Sequence, residues 1–226
     1  MKRFTLTFLS GCASLAHCFA AASFDNSPGT SPPPGTLGSY LMTPFALNST
    51  DPPPGSSSLN SVSAPLGGTL LFSIGLEHRR AGPSGPYTGW GGSVGWGQGY
   101  GGDVYYGSSL GSGSLTLTMP TGTGAFYFYL QPEDDTTVIN IGAVTSDGGS
   151  SGIIPVDGRA NARYFGFYES TPGVSLGSIT ISAPNGAPNG FAIGEFAIAA
   201  VPEPSAVALC ATAILVGVGA SFFRKF

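Results

Sequence analysis

The stretch GSLTLTMPTGTGAFYFYL, residues 113–130, decides the fold of this chain. Leu115, Leu117 and Met119 alternate with serine and threonine, which is the two-residue period of a strand with one buried face. In the second half, phenylalanine and leucine at 126, 128 and 130 alternate with tyrosine at 127 and 129. Because both faces are apolar or aromatic, we predict a central strand covered on both sides.

Shorter alternating runs continue downstream, and no sustained helical period interrupts them before residue 201. They carry Ile139, Ile141 and Ala143, then Ile153, Ile154 and Val156, then Phe165 and Phe167, and finally Ile179 and Ile181. Asp147-Gly148 separates the first two runs, and this dipeptide favours a type I′ hairpin.

The last run changes parity, because Phe191 and Ile193 occupy odd positions but Phe196 and Ile198 occupy even ones. A bulge at Gly194 would insert one residue and return all four side chains to one face.

These patterns predict an all-β ectodomain over residues 64–200, built of about eight or more short strands as an antiparallel jelly-roll-like β-sandwich. Residues 23–63 are rich in proline, glycine and serine and include two proline triplets. We expect them to form a leader with one short apolar packed segment at 40–46.

The N-terminus has the features of a secretory signal peptide over residues 1–22. Lys2 and Arg3 precede an apolar run, and Ala20-Ala21-Ala22 is a small-residue cleavage site. An alternative is lipidation of Cys12 in the box LSGC, although the apolar stretch before it is short.

The C-terminus has the features of a single transmembrane helix, since residues 206–223 contain no charge. Arg224 and Lys225 follow directly, and such basic residues stay on the cytoplasmic side. We therefore expect the ectodomain to face outward.

Val201, Pro202, Glu203 and Pro204 stand immediately before that apolar stretch. Together with the helix and the basic tail, residues 201–226 resemble the PEP-CTERM sorting signal of bacterial surface proteins. The resemblance implies recognition by an exosortase, a membrane-embedded processing protease, and transfer or release of the ectodomain in organisms that make extracellular polysaccharide. The C-terminal half also resembles the β-sandwich ectodomains common in such proteins, but Glu195 stands where those commonly have an aspartate.

Cysteine and charge exclude several classes of function. The three cysteines lie in the predicted signal and membrane segments, so the ectodomain has no disulfide, cysteine nucleophile or thiolate zinc site. Between residues 23 and 200, four arginines stand against eleven acids, a net charge of −7. Nucleic acid is therefore not an expected partner.

No catalytic residue and no cofactor are predicted. The ectodomain has a single histidine, His78, and Ser84 lacks the spacing of a nucleophile elbow. We interpret residues 77–80 as a solvated charge cluster at a strand end, with arginine pairing to an acid. A surface calcium site is an open alternative, built from Glu133, Asp134 and Asp135 with Asp147 or Asp157.

Trp90, Trp96 and Tyr100 lie at even separations in a glycine-rich segment. On an extended backbone they share one face, which suits stacking on sugar rings. The competing interpretation places these tryptophans in the core.

The sequence thus predicts a non-enzymatic, exported surface or extracellular-matrix protein that is anchored at the membrane before processing and associates with exopolysaccharide. Two alternatives remain at this stage: a secreted carbohydrate-active hydrolase, and a structural surface protein that self-associates.

Overall fold

The computed structural model describes residues 21–48, 58–81, 99–111, 113–134 and 136–202. These residues form fourteen strands and one short 3-10 turn at Ser108–Gly111. The strands are β1 Ser23–Asp25, β2 Thr36–Leu37, β3 Tyr40–Leu41, β4 Thr43–Pro44, β5 Ser58–Ser63, β6 Thr69–Arg80, β7 Asp103–Gly107, β8 Ser114–Thr118, β9 Thr123–Pro132, β10 Val138–Thr145, β11 Ser150–Asp157, β12 Arg163–Tyr168, β13 Ser178–Ser182 and β14 Phe191–Ala200.

Twelve of these strands form one nearly closed antiparallel sheet, which confirms the all-β antiparallel prediction. The order is β1-β12-β9-β14-β7-β6-β8-β13-β10-β11, with β4 added to β14 and β5 added to β6. The two ends of this order approach each other, because β11 lies against both β1 and β9. Strand β6 links the two halves, since Leu71 and Phe72 pair with β8 whereas residues 77–80 pair with β7.

The central strand predicted at residues 126–130 is β9, all ten residues of which are buried. Phe126, Phe128 and Leu130 point into the main core, which both halves of the sheet enclose. Tyr127 and Tyr129 point to the other face, where Leu37, Tyr40 and Met42 cover them in a second apolar cluster. The alternation was informative because each face of β9 has its own apolar covering.

Residues 23–63 do not stand apart from the sheet. Within this segment β1 pairs with β12, β4 with β14 and β5 with β6. The apolar segment near Tyr40 packs as expected, and its tyrosine hydroxyl donates to the backbone oxygen of Glu169 at 3.0 Å.

The hairpin at Asp147-Gly148 is confirmed, since β10 and β11 pair on either side of it. The type I′ prediction is wrong: Gly148 has a φ of 97°, while Asp147 keeps a negative φ. The Gly148 amide donates to the Thr145 oxygen at 3.0 Å, so residues 145–148 form a β-turn that ends on one left-handed glycine, as in three-residue hairpin loops. This geometry leaves the Asp147 side chain available for other contacts.

The predicted bulge in the last strand is also confirmed. The register of β14 on β9 shifts by one residue between Gly194 and Ala197. Phe191, Ile193, Phe196 and Ile198 consequently all belong to the main core.

Among the described residues, no helix is long and apolar enough to cross a membrane. The predicted signal peptide, apart from Ala21 and Ala22, and the predicted transmembrane helix at 206–223 lie outside those residues.

Candidate functional site

A cleft lies along one edge of β14, between the part that pairs with β7 and the part that pairs with β4. Residues Phe191 to Gly194 pair with β7, whereas Ala197 and Ile198 pair with β4. The bulge lies between these two pairings, so the ends of β7 and β4 do not meet. The gap encloses about 160 Å³ and is lined by Pro33, Pro44, Phe45, Ala46, Leu47, Tyr100, Asp103, Tyr105, Tyr127, Glu195 and Phe196.

Glu195 is the bulged residue, and its backbone is in the left-handed region with a φ of 53°. Such a conformation is unfavourable for a residue with a β-carbon and is often found at functional sites. The neighbouring Gly194 is required here, because an added Cβ would lie 2.7 Å from the Asp103 backbone oxygen. Burial, together with the negative charge of Glu195, raises the pKa of Tyr127 to about 12. The Tyr127 hydroxyl therefore remains a hydrogen-bond donor near this carboxylate.

Asp103 forms the charged floor of the cleft and is 5 % exposed. Its Oδ1 accepts hydrogen bonds from His78 Nε2 at 2.9 Å and from Arg80 Nη2 at 3.0 Å. Its Oδ2 accepts from the Asn48 amide at 2.5 Å. Burial alone would raise the pKa of Asp103, but the hydrogen bonds from His78, Asn48 and Arg80 lower it overall. The carboxylate is thus held ionised and its oxygens are already occupied.

The same network fastens the chain that follows β4. Arg80 Nη2 donates to the Asn48 backbone oxygen at 2.5 Å, and the Phe45 amide donates to the Phe196 oxygen at 2.9 Å. Residues 45–48, which we call the strap, are therefore held at both ends. A second cavity of about 360 Å³ lies beside the strap and shares Phe45, Ala46, Leu47 and Tyr105 with the first.

The walls of the cleft are aromatic. Tyr105 and Phe196 stack with ring centroids 5.5 Å apart, and His78 stacks on Tyr105 at 5.3 Å. Phe45 meets Phe196 edge to face at 5.6 Å. This continuous aromatic packing makes the inner wall rigid.

Tyr100, predicted from the sequence as a sugar-stacking residue, lies in this cleft. It is half-buried, and its hydroxyl donates to the Asp103 backbone oxygen at 3.0 Å. Its ring covers Gly102, where an added Cβ would come within 2.3 Å of the ring. Trp90 and Trp96 lie outside the described residues.

The interpretation of residues 77–80 is correct in that the arginines pair with acids, but it is wrong about solvation, because His78 is buried and both arginine side chains are only partly exposed. Arg79 pairs with Glu77 at 2.9 Å and lies 4.0 Å from the centre of the Tyr106 ring. His78 is 1 % exposed because alternation along β6 turns it inward, toward Asp103. The inward position was not predicted, because the charged neighbours of His78 indicated a solvated segment.

The acids considered for calcium do not come together. Glu133 lies 3.4 Å from Arg79, Asp134 accepts from the Thr136 amide at 2.7 Å, and Asp157 accepts from the Arg159 amide at 3.0 Å. Within the ranges that the structure describes, no three potential metal ligands of the His, Cys, Asp or Glu type form a group; Asp135 is outside them.

The sorting motif lies at the boundary of the described structure. Val201 follows β14 and donates its amide to the Gly122 oxygen at 2.8 Å. Pro202 is the last residue described, so Glu203, Pro204, Arg224 and Lys225 lie outside.

No protein-family model matches this chain, and no curated protein matches it.

Proposed function

We propose that this chain is an exported, non-enzymatic protein of the bacterial surface or extracellular matrix, which binds neutral polysaccharide in the cleft around Glu195. The observation that carries the proposal is the position of Tyr100. This residue, predicted from the sequence to stack on sugar, lines a cleft with two other tyrosines and a strained glutamate.

The chemistry of the cleft suits a sugar ring. Aromatic faces stack on the apolar side of a ring, while carboxylate and tyrosine oxygens exchange hydrogen bonds with its hydroxyls. The space of about 160 Å³ is smaller than the roughly 300–1,000 Å³ of typical small-molecule pockets. We therefore expect one ring of a longer chain to enter the cleft. The net charge of −7 over residues 23–200 disfavours acidic polymers.

A hydrolase is the weaker proposal, although Asp103 and Glu195 share the cleft. Glycosidases require a carboxylic acid with a raised pKa beside a second carboxylate. With its lowered pKa, Asp103 could serve only as the second, ionised carboxylate, but both of its oxygens already accept hydrogen bonds from His78, Arg80 and Asn48. This carboxylate therefore favours a structural role, in which it holds the strap.

We further propose that the nearly closed sheet is a flattened jelly-roll-like sandwich, delivered to the surface by the signals at its two ends. One core filled from both halves of the sheet supports the sandwich description. The end of β14 leads directly into Val201 and Pro202, so the proposed exosortase motif begins where the last strand ends, and its Pro202 is exposed. The membrane is then the first partner and the exosortase the second.

Titration of the purified protein with the exopolysaccharide of its host tests the binding proposal. Replacing Tyr100 by Ala or Glu195 by Gln should weaken binding by about tenfold, roughly 1.4 kcal/mol. Val138→Ala on β10 is the matched control, because Val138 is 60 % exposed and lies outside the cleft. Unchanged binding by both cleft variants would refute the assignment of the site.

The intact mass and membrane partitioning of the protein from its host test the sorting proposal. Loss of the residues after the motif would support exosortase processing, and Pro202→Ala should reduce it. An intact C-terminus in the membrane would mean that the tail is a plain anchor.

A further inference from the structure

The two ends of the sheet are joined by a contact of the first residues of the fold. Ala22 precedes β1, is 5 % exposed and packs in the main core. Its amide donates to Asp147 Oδ2 at 2.6 Å. Asp147 lies in the turn between β10 and β11, so this bond connects the first and last strands of the sheet order. We call this place the seam.

A second carboxyl group is buried at the seam. Glu169 follows β12, is 3 % exposed, and has no hydrogen-bond partner at either carboxylate oxygen. Burial and the negative charge of Asp147 raise the pKa of Glu169 to about 7. The other ionisable group here is Tyr40, whose hydroxyl donates to the Glu169 backbone oxygen.

The pair has no cationic side chain to balance it. Among the ion pairs of the described residues, none joins Asp147 or Glu169 to a lysine, arginine or histidine. A buried carboxylate without a partner is unfavourable, so the site favours a compact cation. Because the Ala22 amide already donates to Asp147, a cationic group carried by the backbone at this position would lie close to that carboxylate.

We propose that the signal peptide is removed upstream of Ala22, so that the α-ammonium group of the mature chain lies beside the Asp147–Glu169 pair and closes the seam. The small-x-small patterns near the predicted cleavage site include Cys18-Phe19-Ala20 and Ala20-Ala21-Ala22. Cleavage after the second would remove Ala22 and its bond to Asp147. Cleavage after Ala20 keeps both and leaves the new nitrogen on Ala21, one residue away and within about 4 Å of the Ala22 nitrogen.

This inference rests on the proposed export. The two can be tested separately by recovering the full chain from an exporting host and identifying its N-terminal peptide. We expect the peptide to begin at Ala21, and a start at Ala22 would equally support the proposal. A start at Ser23 would overturn the inference and leave export intact, as would an acylated Cys12. An uncleaved Met1 would overturn the export on which the inference depends.

The reactivity of the α-amino group tests the contact itself. Neighbouring carboxylates stabilise an ammonium and raise its pKa. Because the ordinary pKa of an α-amino group, about 7.7–8.0, is close to pH 8, a rise of one unit lowers the fraction of free amine at this pH by about fivefold. In the processed protein, acetylation of the N-terminal amine at pH 8 should therefore be about fivefold slower than in the double variant Asp147→Asn, Glu169→Gln. If the double variant does not fold, the single variant Glu169→Gln can be used instead, and its acetylation rate should lie between those of the wild-type protein and a free N-terminal amine.

Asp157→Asn is the matched control, since Asp157 is at the other end of β11 and binds the Arg159 amide. Equal acetylation rates in the wild-type protein and Glu169→Gln would overturn the proposed contact, because the amine would then be insensitive to the buried carboxyl group.

Discussion

Replacing Glu195 by glycine should make the protein more stable while removing binding in the cleft. The φ of 53° at Glu195 is in the left-handed region, which is unfavourable by about 1–2 kcal/mol for a residue with a β-carbon. Glycine has no such penalty, but it loses about 0.5–1 kcal/mol more backbone entropy on folding. The difference between these two effects predicts that the free energy of unfolding of Glu195→Gly is higher by about 0.5–1 kcal/mol, which corresponds to a rise of about 1–4 °C in Tm for a domain of this size.

The matched control is Glu195→Ala, which also removes the carboxylate but keeps the β-carbon and therefore the unfavourable backbone. Urea unfolding of the full chain, followed by tryptophan fluorescence, compares the two variants under identical conditions. We expect Glu195→Gly to exceed Glu195→Ala in free energy of unfolding by about 1 kcal/mol, with both variants defective in polysaccharide binding. Equal stability of the two variants would refute the argument that the bulge holds Glu195 in a strained conformation.

Three further predictions concern the seam, the leader and the core. Burial raises the pKa of Glu169 from 4.5 in the unfolded chain to about 7 in the folded chain. The folded chain therefore binds the proton of this carboxyl group more tightly, and the free energy of unfolding should fall by at most about 3 kcal/mol as pH rises from below 4.5 to above 7. Thermal unfolding of the chain that retains its signal peptide should show this slope, and Glu169→Gln should flatten it; a slope that persists in the variant would assign the titration to another group. Gly38→Ala should destabilise by about 1–3 kcal/mol, because φ is +56° and the new Cβ would lie 2.6 Å from the Tyr168 ring; an unchanged midpoint in urea would contradict the packing of the leader on β12. Phe126→Ala should cost about 3–5 kcal/mol in the same assay, against less than about 0.5 kcal/mol for the 60 % exposed Val138→Ala, and similar losses at the two sites would refute the assignment of the core.

Several features of the fold were predictable because their signal lies within a few neighbouring residues. Alternation at residues 126–130 predicted the two-sided burial of β9, and the parity change after Ile193 predicted the bulge in β14. The glycine at 148 predicted the hairpin but not its turn type, since one left-handed residue or two can both reverse the chain there.

The candidate site was predictable only in part. The aromatic ring and the spacing of Tyr100 identified it in the sequence as a site residue. No sequence pattern identified Asp103 or the strap residue Asn48. Asn48 meets Asp103 across 55 residues of chain, and no local pattern encodes such a contact. His78 was misjudged for the same reason, because its burial depends on a partner from β7.

The sequence by itself determined which residues form strands and which face of each strand is apolar, because side chains alternate with a period of two regardless of the neighbouring strand. Tertiary structure decided which strands are neighbours. It placed β1, β4 and β5 in the sheet, gave β14 two successive partners on one edge, and brought Ala22 to Asp147 across 125 residues. The cleft and the seam both arise from those long-range pairings, which depend on how the whole chain closes around its core.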